Sequence, residues 1–126
     1  MFDFTGQVIA ITGASSGIGL EIARKFYLGG ARLALCSRSE ERVRSAVADW
    51  ADTSDARLLI ISADTSIIKD IYRFRDAAVE RFGRIDVWVN NAGIEHPMPT
   101  VEMTQNIFAA VVNTNFWDYY FGWQGA

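Results

Sequence analysis

Thr12-Gly13-Ala14-Ser15-Ser16-Gly17-Ile18-Gly19 follows directly on the apolar run Val8 to Ile11 and opens directly into an amphipathic segment. Strand, glycine turn and helix in that order form the arrangement that holds a pyrophosphate, so the stretch points to a dinucleotide. Gly13, Gly17 and Gly19 each have a physical reason. One lets the chain turn sharply off the strand, one lets backbone N–H groups approach phosphate, and one lets helix and strand pack closely. Ser15, Ser16 and Ile18 complete the loop, and the helix beyond it offers its positive N-terminal end to an anion.

Glycine spacing alone also describes any tight turn between a strand and a helix, so the rest of the chain decides. Four short apolar runs, at residues 8–12, 32–37, 57–62 and 86–90, alternate with four longer segments at helical period. The first helix spans residues 17–28, with Ile18, Ile22 and Phe26 on one face and Glu21, Arg24 and Lys25 outward. Ser39 caps the second, with Glu40 and Glu41 in its first turn. The third covers residues 67–82 and stops at Gly83, and Thr104 caps a last helix that runs to the end of the chain. The runs Val8-Ile9-Ala10-Ile11, Leu33-Ala34-Leu35-Cys36 and Leu58-Leu59-Ile60-Ile61 are apolar throughout, as parallel strands covered on both faces are. The expected fold is α/β, a Rossmann-type doubly wound parallel sheet with only the first four βα units present.

The 126 residues, half of them apolar, make one domain with enough material for a core. A net charge of −3 with no block of like charges argues against nucleic acid or an anionic membrane as partner. No apolar run approaches the roughly 18 residues that span a bilayer. Met1-Phe2-Asp3-Phe4 lacks the pattern of a signal peptide, so a cytoplasmic protein is expected. Cys36 stands alone and reads as a small buried strand residue, which excludes an internal disulfide. His96 is also alone and makes no metal site; with Glu95 it lies in a loop bearing Pro97 and Pro99.

In an open α/β sheet the ligand lies beyond the carboxyl ends of the strands. All four ends carry unusual residues: the glycine loop, Ser37-Arg38, Asp64-Thr65, and Asn90-Asn91-Ala92-Gly93. Ser37-Arg38 lies 18 to 19 residues after Gly19, where a fold for NAD places an acid against the ribose 2′-hydroxyl. A serine and an arginine there suit a 2′-phosphate, which a guanidinium clamps in bidentate fashion, so NADP(H) is expected over NAD(H). The alternative reading makes Arg38 a solvated loop charge ahead of Glu40 and Glu41.

Thr12-Gly13-x-x-x-Gly17-Ile18-Gly19, Asp64, Asn90-Asn91-Ala92-Gly93 and Asn115, 25 residues after Asn90, resemble the N-terminal half of a short-chain dehydrogenase/reductase over the whole chain. The resemblance implies that the glycine loop holds the pyrophosphate and Arg38 the adenosine phosphate. It implies further that Asp64 with Thr65 holds the adenine, and residues 90–93 the adenosine ribose. Asn115 would be the helix asparagine whose backbone carbonyl positions a water in a proton relay. The residues themselves make Asn115 unusual: it ends an apolar stripe of Phe108, Val111 and Val112, where a buried amide must be hydrogen-bonded. Asp118 departs from the glycine common in relatives.

Enzymes of this kind need a tyrosine general acid/base paired with a lysine, supplied in the family as Tyr-x-x-x-Lys. Tyr27, Tyr72, Tyr119 and Tyr120 are followed four places on by Ala31, Asp76, Trp123 and Gln124. The chain is therefore expected to be the cofactor-binding half of an oxidoreductase acting on a small carbonyl or alcohol, inactive alone, or else a chemically silent nucleotide-binding module. A methyl-donor enzyme on a similar sheet is disfavoured by the missing acid after the second strand. A bare strand edge at residues 86–90 and the aromatic run 116–123 are expected to be covered by further chain or by a second subunit in a homo-oligomer.

Overall fold

A computed structural model describes residues 2–50, 56–93, 98–117 and 120. Strands β1 (Val8–Thr12), β2 (Arg32–Ser37), β3 (Leu58–Ser62) and β4 (Val87–Val89) alternate with helices α1 (Gly17–Leu28), α2 (Glu40–Ala46), α3 (Ile68–Phe82) and α4 (Gln105–Val112). The strands pair in parallel in the order β3-β2-β1-β4, with Ala10 aligned to Ala34 on one side and to Trp88 on the other. The chain lays down β1, β2 and β3 in one direction and then returns to the far side of β1 with β4. That reversal places a crevice beyond the carboxyl ends of β1 and β4.

Successive strand residues point to opposite faces, which divides the core in two. On one face Ile9, Ile11, Leu33, Leu35, Leu58 and Ile60 pack with Ala23 and Tyr27 of α1 and with Val43 of α2. On the other, the small residues Ala10, Ala34 and Cys36 leave room for Phe74 and Ala78 of α3, and Phe74 meets Trp88 edge-on with ring centroids 5.5 Å apart. Helices on both faces make the sheet doubly wound. β1 is buried along its whole length, whereas Val87, Trp88 and Val89 of the edge strand are all half-buried. Cys36 is fully buried, as its place in a strand implied.

Asp86 fastens β4 to β1 at their amino ends. Its N–H donates to the Val8 carbonyl at 2.8 Å and its carboxylate accepts the Val8 N–H at 2.8 Å, while Arg84 pairs with the same carboxylate. These contacts, the Val8 N–H first, hold the Asp86 carboxyl below the ordinary carboxylate range.

Two expectations about the helices are corrected. The buried stripe of α1 is Gly19, Ala23 and Tyr27, one residue along from the expected Ile18, Ile22 and Phe26. Ile18 is 74% exposed, and Ile22 and Phe26 are only partly buried. Close approach to β1 selects the small residues: a Cβ at Gly19 would stand 2.4 Å from the Gly13 carbonyl oxygen. The last helix, expected to run regularly to the chain's end, is α-helical over Gln105–Val112 and is then interrupted by a π turn, Asn113–Trp117. No residue of α4 is buried and Phe108 is 59% exposed, so the expected apolar stripe is not a core face. Among the described residues no helix is long and apolar enough to cross a membrane.

Candidate functional site

Thr12 ends β1 with its side chain almost wholly buried. Its hydroxyl accepts the N–H groups of Asn91 at 3.1 Å and Ala92 at 3.0 Å, and the Asn91 side-chain amide donates to the Gly13 carbonyl at 3.1 Å. The loops after β1 and β4 are thereby stapled together, although 77 residues separate Thr12 from Val89. The staple leaves no room for side chains. A Cβ at Gly13 would lie 2.9 Å from Ala92 Cα, and one at Gly19 would lie 2.3 Å from the Asn91 amide nitrogen. Gly17 is different: a Cβ there meets nothing within 4 Å, but its φ of +56° is a conformation that L side chains rarely adopt.

Beyond these loops lies a cleft of about 490 Å³. It gathers Gly13, Ser15 and Ser16 from the first strand's end, Ser37 and Arg38 from the second, Asp64 and Thr65 from the third, and Ala92 and Gly93 from the fourth. Gly17, Ile18, Gly19, Asn90 and Asn115 stand outside the lining. Gly19 is buried behind the loop, and the Asn90 side chain accepts from the Trp88 indole N–H at 2.8 Å. The Asn115 carboxamide oxygen lies 3.3 Å from where a Cβ of Gly93 would be, so the π turn brings Asn115 against the end of the β4 loop. It is half-buried there. π turns in helices frequently mark functional sites. Glu95, His96 and Asp118 lie outside the described residues.

The helix starts around the cleft are not alike. Ser39 caps α2 by accepting the Arg42 N–H, and Thr104 caps α4 by accepting the Ile107 N–H, each at 3.3 Å. Ser16 at the start of α1 makes no such bond, and Ser16 lines the cleft. The first N–H groups of α1 thus lack a side-chain acceptor where the cleft begins.

The remaining walls are held from within. Ser37 Oγ donates to the Ser39 carbonyl at 2.8 Å and accepts the Ser39 N–H at 3.1 Å, so this hydroxyl shapes its own loop. Asp64 accepts both the N–H and the hydroxyl of Ser66, at 3.0 and 2.7 Å. Asp70 in the first turn of α3 reaches back to accept the Asp64 N–H at 2.8 Å. That bond, with help from Arg73, keeps the Asp70 carboxyl below its ordinary range against the opposing effect of burial.

Six further lining residues were not singled out from the sequence: Arg42, Ala63, Ser66, Ala110, Asn113 and Thr114. Arg42 was legible in principle, one helical turn beyond Arg38 on α2. Asn113 and Thr114 were not, because the π turn that swings them to the cleft breaks the helical period.

Residues 7–126 match the family described as short chain dehydrogenase. The chain is 37% identical over 113 residues to the 11-beta-hydroxysteroid dehydrogenase-like 4A of Arabidopsis thaliana, covering 89% of this chain and 38% of that protein. It superposes on a short chain dehydrogenase from Burkholderia cenocepacia in complex with NADP with a TM-score of 0.90 at 30% identity, covering 98% of this chain and 50% of that one. A 3-ketoacyl-(acyl-carrier-protein) reductase from Brucella melitensis complexed with NADH gives a TM-score of 0.88 at 31% identity, over 97% of this chain and 49% of that one. The chain thus spans little more than a third of the curated relative and about half of the solved ones. With its parallel sheet, its stapled glycine and asparagine loops and a match over nearly its whole length, the chain belongs to the short-chain dehydrogenase family of oxidoreductases.

Proposed function

We propose that this chain is the cofactor-binding part of an NAD(P)(H)-dependent oxidoreductase that reduces a carbonyl or oxidises an alcohol on a small molecule, and that it takes NADP(H) in preference to NAD(H). The observation that carries the reading is the uncapped start of α1, opening on a cleft that four strand ends supply. The residues fit a dinucleotide: N–H donors without a side-chain acceptor and a loop stripped of side chains receive a pyrophosphate. When bound, the nicotinamide ring supplies the hydride donor or acceptor.

In this reading Gly13, Ser15, Ser16, Gly17, Ile18 and Gly19 hold the pyrophosphate through backbone groups. Arg38 binds the adenosine 2′-phosphate, and Ser37 fixes the loop that carries it. Asp64 and Thr65 face the adenine, and Asn90, Ala92 and Gly93 face the adenosine ribose. The backbone carbonyl of Asn115, within the π turn, holds a water for proton transfer. The tyrosine and lysine of the reaction belong to a longer chain, since no tyrosine among the 126 residues has a lysine four places on. That same observation favours, as the second reading, a chemically silent nucleotide-binding module. A homo-oligomer is the expected assembly, with the exposed Phe108 and Phe116 as its contacts.

Arg38 sits on the cleft where an acid would exclude a phosphate. One charge-assisted phosphate contact is worth about 1.5 to 3 kcal/mol, or roughly ten- to a hundredfold in affinity. NADPH and NADH titrated into the wild type and Arg38→Ala should show a preference of that order in the first and its collapse in the second. Equal wild-type affinities, or an unchanged ratio in the variant, would overturn the preference.

A further inference from the structure

α2 sorts its charges by face. Glu40, Glu41 and Arg44 share a shallow outer surface, where the Arg44 guanidinium grips the Glu40 carboxylate through Nε at 2.9 Å and Nη2 at 2.7 Å. Arg42 falls on the other side and lines the cleft together with Arg38. Among the described residues neither of these two guanidinium groups has a hydrogen-bond or ion-pair partner. The lining holds one carboxylate, Asp64, and it turns an oxygen to Ser66. One corner of the cleft therefore holds two uncompensated positive charges.

The backbone beneath them is fixed. Ser37 and Ser39 bond to each other twice, Ser39 accepts the Arg42 N–H at 3.3 Å, and the Ser62 hydroxyl donates to the Arg38 carbonyl at 3.0 Å. Two like charges carried on a rigid turn call for an anion of more than one charge. A phosphate monoester, at about −1.5 to −2 near neutral pH, is such a group, and its three free oxygens accept more than one planar guanidinium fork.

We propose that Arg42 is a second phosphate-binding residue, sharing the adenosine 2′-phosphate with Arg38, and that selectivity for the phosphorylated cofactor is divided between the two. The inference rests on the cofactor reading above and extends it to a residue on α2. With Arg42 exposed, its removal leaves the core intact.

The test titrates 2′,5′-ADP and 5′-AMP into the wild-type chain and into Arg38→Ala, Arg42→Ala, Arg42→Gln and Arg42→Lys, with helix content followed by circular dichroism. Arg42→Ala and Arg42→Gln should each weaken 2′,5′-ADP by about ten- to a hundredfold and 5′-AMP by less than about twofold, the gap narrowing as salt screens the charges. Arg42→Lys, which keeps the charge and loses the fork, should fall between. If Arg38→Ala removes the discrimination while all three Arg42 variants keep it, the second site is refuted and the cofactor reading stands. Equal weakening of both nucleotides by the Arg42 variants refutes the second site as well. No wild-type preference for 2′,5′-ADP refutes both.

Discussion

Thr12 shows how one side chain positions a site. Its hydroxyl is buried and accepts two backbone N–H groups from the β4 loop. Thr12→Val keeps the shape and removes the acceptor, leaving both N–H groups unmatched at about 1 to 3 kcal/mol each. Chemical denaturation should show a loss of at least about 2 kcal/mol in Thr12→Val and nearly none in Thr12→Ser. The glycines separate two physical causes in the same way. Gly19→Ala brings a methyl group to 2.3 Å from the Asn91 side chain, and overpacking of that kind costs about 1 to 3 kcal/mol. Gly17→Ala meets no neighbour and carries only the strain of its positive φ, about 1 to 2 kcal/mol. Asp86 and Asp70 tie stability to pH in the acid range. Their folded pKa values lie below the ordinary 3.8, so the stability they contribute is present above that value and is lost as pH falls through the lower folded values. Asp86→Asn and Asp70→Asn should each flatten the decline in stability below about pH 4, and an unchanged acid limb would show that these bonds do not persist in solution. The glycine positions were readable because the motif states its own geometry. The role of Thr12 was not, because it depends on Asn91 and Ala92, 79 and 80 residues away.

At the scale of elements, the sequence located every strand and the start of every α-helix of the described chain to within a residue or two, since apolar runs and helical period alternate cleanly, whereas it carried the last helix past Val112, where the regular turns stop. The helix faces were less legible. Ile18, Ile22 and Phe26 are more apolar than Gly19, Ala23 and Tyr27, and hydrophobicity alone ranks them as the core face. The sheet instead selects the stripe with small residues at its start, because the helix axis must come close to β1 where the loop turns. α3 repeats the logic from the opposite side, with Phe74 set over Ala10 and Ala34. Phe74→Ala should cost about 3 to 5 kcal/mol, the range for a buried aromatic truncated over a tight core, and should red-shift the emission of Trp88, whose ring it covers. A loss under about 1 kcal/mol would mean that α3 does not close that face. The π turn at Asn113–Trp117 was hidden from a reading at helical period, and with it the approach of Asn113, Thr114 and Asn115 to the site.

At the scale of the molecule, β4 is an edge strand, α4 buries no residue, and Val101, Phe108 and Phe116 are exposed. Exposed apolar surface beside an unpaired strand edge promotes association. Light scattering of the 126-residue chain should report dimers or larger species, and a monomer at micromolar concentration would contradict this. On the proposed reading, hydride transfer by the chain alone should be undetectable: no tyrosine among its residues has a lysine four places on, and a general acid is usually worth about 10² to 10⁴ in rate. Whether the cleft holds the cofactor is decided by titrating NADPH into the wild-type chain and into Gly13→Val, whose branched side chain would press on Ala92. The account predicts saturable one-site binding in the first and its loss from a second protein that retains its helix content. No binding to the wild type, or equal binding to both, would contradict it.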